Sequence, residues 1–307
     1  MLYDMIIVGG GCAGLAASIY ARRYNMEVLL LSENLGGTIT TTHLVENYPG
    51  FTSLSGQELA DHIIDHAKAN DVQMKIGSRT SKIVKEGDVF KVTSGKETFE
   101  ARTVLLATGT TYRKLGIPGE QEFSARGVSY CATCDAPFFK GKSVIMIGGG
   151  DSAVKESLVL ASHAKDVTII YRGEKLRPEP INLKRMEATP NIKVIYKTQL
   201  TEIMGDQSVT KVKLDSAAGG ISEMPTQGVF VEIGRIPLTS MVDELGVAKN
   251  EKGEILINVM SETNVPGFYA AGDVSDTEWK QAIVGVAEGV KAAYMAFEYV
   301  SAQKLTK

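Results

Sequence analysis

The segment D-M-I-I-V-G-G-G-C-A-G, residues 4–14, places a short apolar run directly before a glycine-rich turn. Such a run, ended by glycines, predicts a buried strand of a parallel sheet. Helical periodicity follows over residues 13–24 and a second apolar run over 28–31, so the segment predicts a βαβ unit. The turn matches G-x-G-x-x-G, whose bare backbone and following helix N-terminus suit a dinucleotide pyrophosphate. A glycine-rich turn that binds nothing is the alternative.

The same order of elements returns in the middle of the chain. Residues 143–147 predict a strand, GGGDSA at 148–153 matches G-x-G-x-x-A, 152–162 predict a helix and 167–171 another strand. Two such units in one chain are typical of flavoenzymes that take electrons from a pyridine nucleotide. A vestigial second loop is the alternative.

The remaining segments are short strands and one long helix. Residues 90–93 and 98–102 predict antiparallel strands, 104–107 a buried strand, and about 281–300 a long C-terminal helix.

The predicted fold class is α/β, with two Rossmann-like, three-layer ββα domains of the FAD/NAD(P)-binding kind. The second domain is inserted into the first, because Gly, Pro and polar residues mark hinges at 110–115 and 234–238. We expect the first domain over residues 1–113 and 237–307 and the second over 114–236.

Composition excludes several classes of protein. The 307 residues are 44% hydrophobic and 22% charged, as in an ordinary soluble globular protein. A net charge of −3 gives no field toward nucleic acid or an anionic membrane, and neither is expected as a partner. No apolar run is long enough to span a bilayer, and no secretory signal precedes the first strand, so the cytoplasm is the expected compartment.

Each glycine loop has polar residues at the end of its second strand. Glu33 follows the first loop and could accept hydrogen bonds from ribose hydroxyls. After the second loop, Tyr171 stands where an acidic residue would select NAD, and Arg172 and Arg177 could bind a 2′-phosphate. A solvated basic surface is the alternative for the two arginines.

The stretch Cys131-Ala-Thr-Cys134-Asp135 carries the most specific chemistry. Closely spaced cysteines can form a reducible disulfide, and Asp135 is a candidate acid or base during exchange. A zinc site, an inert buried pair, and Asp135 as a helix cap are the alternatives. The third cysteine, Cys12, is expected to be a packed residue of the first loop.

With these motifs the chain resembles the low-molecular-weight (bacterial and archaeal type) thioredoxin reductases, which are FAD-dependent pyridine nucleotide-disulfide oxidoreductases. The resemblance runs from about Asp4 to Val300. Further similar segments are GGTITTT at 36–42, VENYPG at 45–50, ATG at 107–109, YAAGDV at 269–274 and WKQA at 279–282.

The resemblance implies two sets of cofactor-binding residues. For FAD they are Gly9, Gly11, Cys12, Ala13, Gly14, Glu33, Gly37, Thr38, Thr42, Asn47, Ala107, Thr108, Gly109, Gly272, Asp273, Lys280, Gln281 and Ala282. For a nicotinamide nucleotide they are Gly148, Gly150, Asp151, Ser152, Ala153, Arg172 and Arg177.

The resemblance also implies the reaction. A donor reduces FAD, FAD reduces the cysteine disulfide, and the dithiol reduces a disulfide of a thioredoxin-like or glutaredoxin-like small protein. Cys134 then faces the flavin, Cys131 attacks the partner, and Asp135 supplies protons. Homodimers, and rotation of the inserted domain on its hinges, are further expectations carried over from the family.

Several positions depart from the family pattern. The NADPH-binding pattern His-Arg-Arg-x-x-x-Arg reads YRGEKLR at 171–177, so Gly173 replaces an arginine. Losing such a contact costs about 1.5–3 kcal/mol. NADPH is the favoured donor, and NADH, reduced ferredoxin or another donor is the alternative. Lys155 replaces a frequent glutamate, and other departures are Thr38, Cys12 and Ala136-Pro137.

Three other functions compete with this one. A ferredoxin–NADP reductase of the same architecture lacks the cysteine pair. A hydroperoxide-reductase flavoprotein carries an additional N-terminal thioredoxin-like module. A flavin-dithiol redox sensor that signals without turnover is the alternative from another functional class.

Overall fold

A computed structural model describes residues 1–215 and 222–305 of the chain. Its strands are β1 (Leu2–Gly11), β2 (Val28–Gly36), β3 (Gln73–Ile76), β4 (Thr80–Glu86), β5 (Val89–Ser94), β6 (Glu97–Leu106), β7 (Thr110–Tyr112), β8 (Val128–Ser129), β9 (Ser143–Ile147), β10 (Asp166–Tyr171), β11 (Ile192–Tyr196), β12 (Leu200–Gly205), β13 (Val209–Leu214), β14 (Glu223–Pro225), β15 (Gly228–Val231), β16 (Arg235–Pro237) and β17 (Phe268–Ala270). Its α-helices are α1 (Cys12–Arg23), α2 (Gly56–Ala69), α3 (Ala132–Asp135), α4 (Asp151–Ala161), α5 (Pro180–Glu187) and α6 (Ala282–Leu305). Short 3₁₀ turns lie at Gly37–Thr41, Ala136–Phe139, Ser240–Leu245 and Gly272–Val274.

The chain divides into two compact units. The first unit contains residues 1–111 and 236–307, and the second contains residues 112–235. The connecting strands β7 and β16 pair with each other in a two-stranded sheet. Among the described helices, none combines the length and the apolarity that a bilayer-spanning segment requires.

The first unit is built on a sheet with the strand order β3-β2-β1-β6-β5-β4, and β17 pairs with β6. The strands β3, β2, β1, β6 and β17 run parallel, and β4 and β5 extend the sheet in the antiparallel sense. Along β1, Met5 and Ile7 pack with the helices α1, α2 and α6, and Ile6 and Val8 pack on the opposite face. Burial on both faces explains why this strand is apolar at consecutive positions.

The prediction of separate strands at 98–102 and 104–107 was wrong. The structure has one continuous strand, β6, which pairs with both β5 and β1. Thr103 does not interrupt the strand, because its buried hydroxyl donates to the carbonyl of Asp4 at 2.7 Å. A polar residue within an apolar run was therefore a misleading sign of a break.

The second unit has a parallel sheet with the order β11-β10-β9-β15-β8 and a three-stranded antiparallel sheet, β12-β13-β14. Val144 and Met146 of β9 pack with the helices α3, α4 and α5, and Ile145 and Ile147 pack on the side of the smaller sheet. Parallel sheets covered by helices in both units confirm the predicted α/β class.

Candidate functional site

In the first unit, the loop 9–14 turns so tightly that side chains are excluded. Gly9 has φ +118°, and a Cβ on it would lie 2.2 Å from the carbonyl oxygen of Ala107. A Cβ on Gly14 would lie 1.9 Å from the carbonyl oxygen of Gly9. Helix α1 begins at Cys12, and its N-cap, Gly11, provides no side-chain cap. Amide groups at an uncapped helix N-terminus beside bare backbone suit a phosphate group, so the loop fits a dinucleotide.

The end of β2 lies beside this loop. The Gly10 amide donates to Ser32 Oγ at 2.9 Å, and Gly37 lies against Gly11, where a Cβ on Gly37 would be 3.0 Å from the Gly11 Cα. Glu33 lies within β2, and its side chain is exposed and accessible to a ligand. The role of Ser32 was not predicted; its only signal was a hydroxyl directly before the acidic residue.

Segments far apart in sequence meet near the loop. A Cβ on Gly272 would lie 3.3 Å from the Ala13 Cβ, so the Gly272–Val274 turn lies at the start of α1. Burial, with a smaller contribution from the Asp273 charge, raises the pKa of the Cys12 thiol to about 11. Cys12 is therefore a protonated thiol at neutral pH, consistent with a packed residue rather than a redox partner.

Other predicted flavin residues have definite partners in the structure. Asn47 Nδ2 donates to Gln281 Oε1 at 3.2 Å across 234 positions of sequence. Thr108 Oγ1 donates to the carbonyl of Leu238 at 2.7 Å, and Leu238 N–H donates to the carbonyl of Gly109 at 3.0 Å. The Ala107 amide donates to the carbonyl of Val8 at 2.8 Å. The Thr42 carbonyl accepts from Gly56, whereas Thr38 is exposed.

The structure gives Lys280 a structural contact. Its ammonium group lies 3.0 Å from Glu254 and also donates to the carbonyl of Ser275, while α6 begins two residues later, at Ala282.

A buried carboxylate that the sequence analysis missed holds the turn Gly272–Val274 and the residues that follow it. Glu288 of α6 accepts from the Gly272 amide at 2.7 Å and from the hydroxyls of Ser275 and Thr277. Its signal in the sequence was an acidic residue among the small and apolar residues of α6.

In the second unit, the loop 148–153 repeats the first loop's construction. A Cβ on Gly148, which has φ +142°, would lie 2.1 Å from the Glu232 carbonyl oxygen. Helix α4 begins at Asp151 after Gly150, which provides no side-chain cap; Ser152 is exposed and Ala153 is buried. The loop therefore also fits a phosphate group.

Asp151 is held by the segment that follows β10. Its Oδ1 accepts from the Glu179 amide at 2.9 Å and Asn182 Nδ2 at 2.8 Å, and Lys155 lies 3.3 Å from Oδ2. Burial opposes the charge of Asp151, but these hydrogen bonds and Lys155 outweigh it, so its pKa lies below the usual value. Lys155, which departs from the family pattern, is thus paired within α4.

The structure gives a steric reason for Gly173. The Tyr171 ring lies against two glycines. A Cβ on Gly149 would lie 2.5 Å from the ring, and a Cβ on Gly173 would lie 2.6 Å from it. An arginine at position 173 would require that ring to move. Arg172 and Arg177 are exposed, and the Arg177 amide donates to the Gly149 carbonyl at 2.8 Å, which brings residue 177 to the loop.

Cys131 and Cys134 form a disulfide at the start of α3, with their Cα atoms 5.4 Å apart. Cys131 is the N-cap of α3, and its Sγ accepts from the Cys134 amide at 3.2 Å. Asp135 ends α3 and precedes the turn Ala136–Phe139, where its side chain makes no cap hydrogen bond. The helix-cap alternative for Asp135 therefore has no support in the described residues.

Two carboxyl groups that the sequence analysis did not identify lie near the disulfide. Glu156 Oε2 accepts from the amide of Ala132, between the two cysteines, at 3.3 Å. Glu232 is buried, and its Oε1 lies 3.9 Å from Arg235 Nη2. Within residues 1–215 and 222–305, no group of three or more His, Cys, Asp or Glu side chains is arranged to hold a metal ion.

Comparison with known proteins gives matches along almost the whole chain. A family profile described as "Pyridine nucleotide-disulphide oxidoreductase" matches residues 3–289. A curated "Thioredoxin reductase" of Listeria innocua is 41% identical over 307 residues, covering 99% of this chain and 95% of that protein.

Solved structures agree with the sequence comparison. The Lactococcus lactis thioredoxin reductase (FR conformation) is 36% identical, with 97% of this chain and 99% of that chain covered and a TM-score of 0.94. The T. acidophilum thioredoxin reductase is 38% identical, with 98% and 99% covered and a TM-score of 0.92.

Proposed function

This chain belongs to the pyridine nucleotide-disulphide oxidoreductase family, and we propose that it acts within it as a thioredoxin reductase. Electrons pass from a reduced nicotinamide through FAD to the Cys131–Cys134 disulfide, and then to a thioredoxin-like protein. The observation that carries this proposal is the disulfide itself, which the structure forms at the start of α3 in the unit with the second glycine loop.

The first unit has the features that FAD binding requires. Gly9 would form the tight turn, Gly11 would bring bare backbone to the pyrophosphate, and Gly14 would let α1 pack closely on the loop. Glu33 would accept from ribose hydroxyls, and Asp273 would lie by the ribityl chain. FAD, when bound, supplies the two-electron chemistry that passes reducing equivalents from the donor to the disulfide. The other flavin residues implied by the family resemblance belong to the same proposal.

Cys131 has the geometry of the cysteine that attacks the partner. Its sulfur accepts the Cys134 amide at 3.2 Å, and this hydrogen bond would favour a thiolate on Cys131 after reduction. Exchange then proceeds through a mixed disulfide with the partner, which the second cysteine resolves. As the family resemblance implies, Cys134 would take electrons from the flavin side, and Asp135 would move the protons of the exchange.

NADPH is the proposed donor. The second glycine loop, with Gly148, Gly150 and the start of α4, would hold the pyrophosphate, and Arg172 and Arg177 would bind the 2′-phosphate. Position 173, where the family pattern has a further arginine, is a glycine that lies against the Tyr171 ring, so two arginines remain for the 2′-phosphate. NADH, reduced ferredoxin or another donor is the competing assignment.

The proposed partner is a thioredoxin-like or glutaredoxin-like small protein. Phe138, four residues after Cys134 in the turn that follows α3, has 72% of its surface exposed and offers an apolar contact to a partner. A homodimer in the cytoplasm remains the expectation from the family.

The experiment is an anaerobic reduction of the FAD-loaded protein, with loss of flavin absorbance followed after mixing with NADPH, NADH or reduced ferredoxin. We expect fast bleaching with NADPH. Bleaching by NADH alone, or by neither nucleotide, would reassign the donor. Bleaching without subsequent reduction of a thioredoxin disulfide would favour the redox-sensor alternative.

A further inference from the structure

Two carboxyl groups lie together next to the helix that carries the disulfide. Glu156 is half-buried on α4, and Glu232 is buried at the end of β15. Glu156 Oε2 accepts the Ala132 amide at 3.3 Å, and Ala132 directly follows Cys131. The Glu156 carboxyl is therefore one hydrogen bond and a few covalent bonds from a sulfur atom of the disulfide.

The carboxyl groups of Glu156 and Glu232 can hydrogen-bond to each other only if one of them carries a proton. Glu232 Oε1 is buried and has no hydrogen-bond partner among the described protein groups. Two ionised carboxylates would offer each other no donor. A proton on Glu156 supplies that donor, and Arg235, 3.9 Å away, neutralises the remaining charge on Glu232.

Electrostatics favours the same arrangement. Burial, followed by the Glu232 charge, raises the pKa of Glu156 well above its usual range. Burial also raises the pKa of Glu232, but Arg235 and the hydrogen bond from Glu156 favour its charged form. Of the two carboxyl groups, Glu156 therefore holds its proton more strongly, and Glu232 is the one that ionises first.

Other charged groups lie on the elements that pack against α4. They are Asp135 on α3, Asp166 on β10, Lys193 on β11, and Lys184, Arg185 and Glu187 on α5. On α4 itself, Lys155 pairs with Asp151. The charged groups that act most strongly on Glu156 are Glu232 and Arg235.

We propose that Glu156 is a positioning residue for the disulfide, which acts as a neutral acid. It accepts the first amide of α3, donates its own proton to Glu232, and keeps a negative charge away from the thiolate that forms on reduction. The inference rests on the proposed disulfide reduction. Breaking the S–S bond consumes two electrons and one proton and leaves one thiol and one thiolate, while the Glu156 proton stays in place.

Ionisation of Glu156 and formation of the thiolate therefore oppose each other. An ionised Glu156 and the thiolate are like charges, so a negative charge on one raises the pKa of the other by about one unit. In the parent protein the thiolate titration is broadened, because Glu156 begins to ionise while the thiol loses its proton.

The test uses the FAD-loaded protein, reduced anaerobically with excess dithiothreitol that is then removed. The rate of iodoacetamide alkylation at Cys131 and Cys134 is measured by mass spectrometry across a pH series. The parent is compared with Glu156→Gln and Glu232→Gln, and with Glu223→Gln, an exposed carboxylate on β14, as the matched control. Circular dichroism checks that each variant is folded.

The two variants are expected to shift the titration in opposite directions. Glu156→Gln cannot ionise, so its thiolate midpoint falls by about one pH unit and its curve sharpens to a single titration. In Glu232→Gln, Glu156 loses its charged neighbour and keeps Arg235, so it ionises at lower pH and the thiolate midpoint rises by about one unit. Glu223→Gln follows the parent.

Coincident curves for the parent and both variants would overturn the inference, as would shifts of both variants in the same direction. Because dithiothreitol supplies the electrons, the titration does not depend on a nucleotide donor or a thioredoxin. Opposite shifts in a protein that fails to reduce thioredoxin would leave the inference standing and reject the proposed function.

Discussion

Replacing Gly14 with alanine tests the flavin loop at its tightest contact. A Cβ at this position would lie 1.9 Å from the carbonyl oxygen of Gly9, whereas ordinary contact begins at 3.4 Å. The missing distance of about 1.5 Å can be recovered only by moving backbone, because the obstructing atom is a carbonyl oxygen. Overpacking of this kind costs about 1–3 kcal/mol in stability.

The displacement also moves the start of α1 away from the proposed pyrophosphate. Loss of one hydrogen bond to a charged group costs about 1.5–3 kcal/mol, which corresponds to a rise in the FAD dissociation constant of roughly 10- to 100-fold. The assay is titration of the apoprotein with FAD, followed by flavin fluorescence.

Gly150→Ala is the matched control. Gly150 is a glycine of the second loop and the N-cap of α4, as Gly11 is of α1; it has φ −87°, and a Cβ on it would have no atom within 4 Å. We expect Gly150→Ala to bind FAD like the parent. If folded Gly14→Ala binds FAD within about threefold of the parent, the loop is not the pyrophosphate site and the reasoning is refuted.

Three further predictions concern other contacts. Arg177→Ala should weaken NADPH binding by about tenfold or more and leave NADH binding nearly unchanged, because only NADPH carries a 2′-phosphate. Equal effects on both nucleotides in equilibrium titration would argue against the assignment. Lys193→Ala, at an exposed position on β11, is the control. Glu288→Gln should raise the FAD dissociation constant by about tenfold, since one buried acceptor of the Gly272 amide is weakened; unchanged affinity in the same fluorescence titration would contradict it. Asp151→Asn should make the free energy of unfolding less sensitive to acid. The pKa of Asp151 is lower in the folded protein than in the unfolded chain, so the ionised side chain stabilises the fold fully above about pH 4. That stabilisation is lost as the pH falls through the folded pKa. Acid unfolding followed by circular dichroism would show a parallel curve for Asp151→Asn if this reasoning is wrong.

The glycine loops could be predicted from sequence because their signal is local. In each, the strand, the glycines and the helix start lie within about fifteen residues, and each element needs only its neighbours to be recognised. The cysteine pair was equally evident, because Cys131 and Cys134 are one helical turn apart.

The buried carboxylates could not be predicted, because their partners are distant in sequence. Glu288 accepts from Gly272, and Glu156 accepts from Ala132, 24 positions away. An acidic residue on a helix usually faces solvent, so Glu156 had no distinguishing pattern. The apolar surroundings of Glu288 on α6 indicated burial but not its partner. The strand break at Thr103 was wrong for a related reason, since the acceptor of its hydroxyl belongs to β1.

Gly173 shows how structure changes the meaning of a sequence difference. Against the family pattern it is a missing arginine, but in the structure it makes room for the Tyr171 ring. The ring also covers Gly149, so Tyr171, Gly149 and Gly173 form one packed group. We therefore expect Gly173→Arg alone to disturb this group rather than restore a third phosphate contact.

Electrons are proposed to leave this protein through Cys131. The most direct measurement is a single-turnover reaction in which the donor-reduced, FAD-loaded protein is mixed anaerobically with an oxidised thioredoxin, and new thioredoxin thiols are counted. We predict two thiols on thioredoxin for each pair of electrons with the parent, and none with Cys131→Ser, whose flavin is still reduced by the donor. Equal thiol formation by Cys131→Ser, or a reduced parent that transfers nothing to thioredoxin, would contradict the disulfide route.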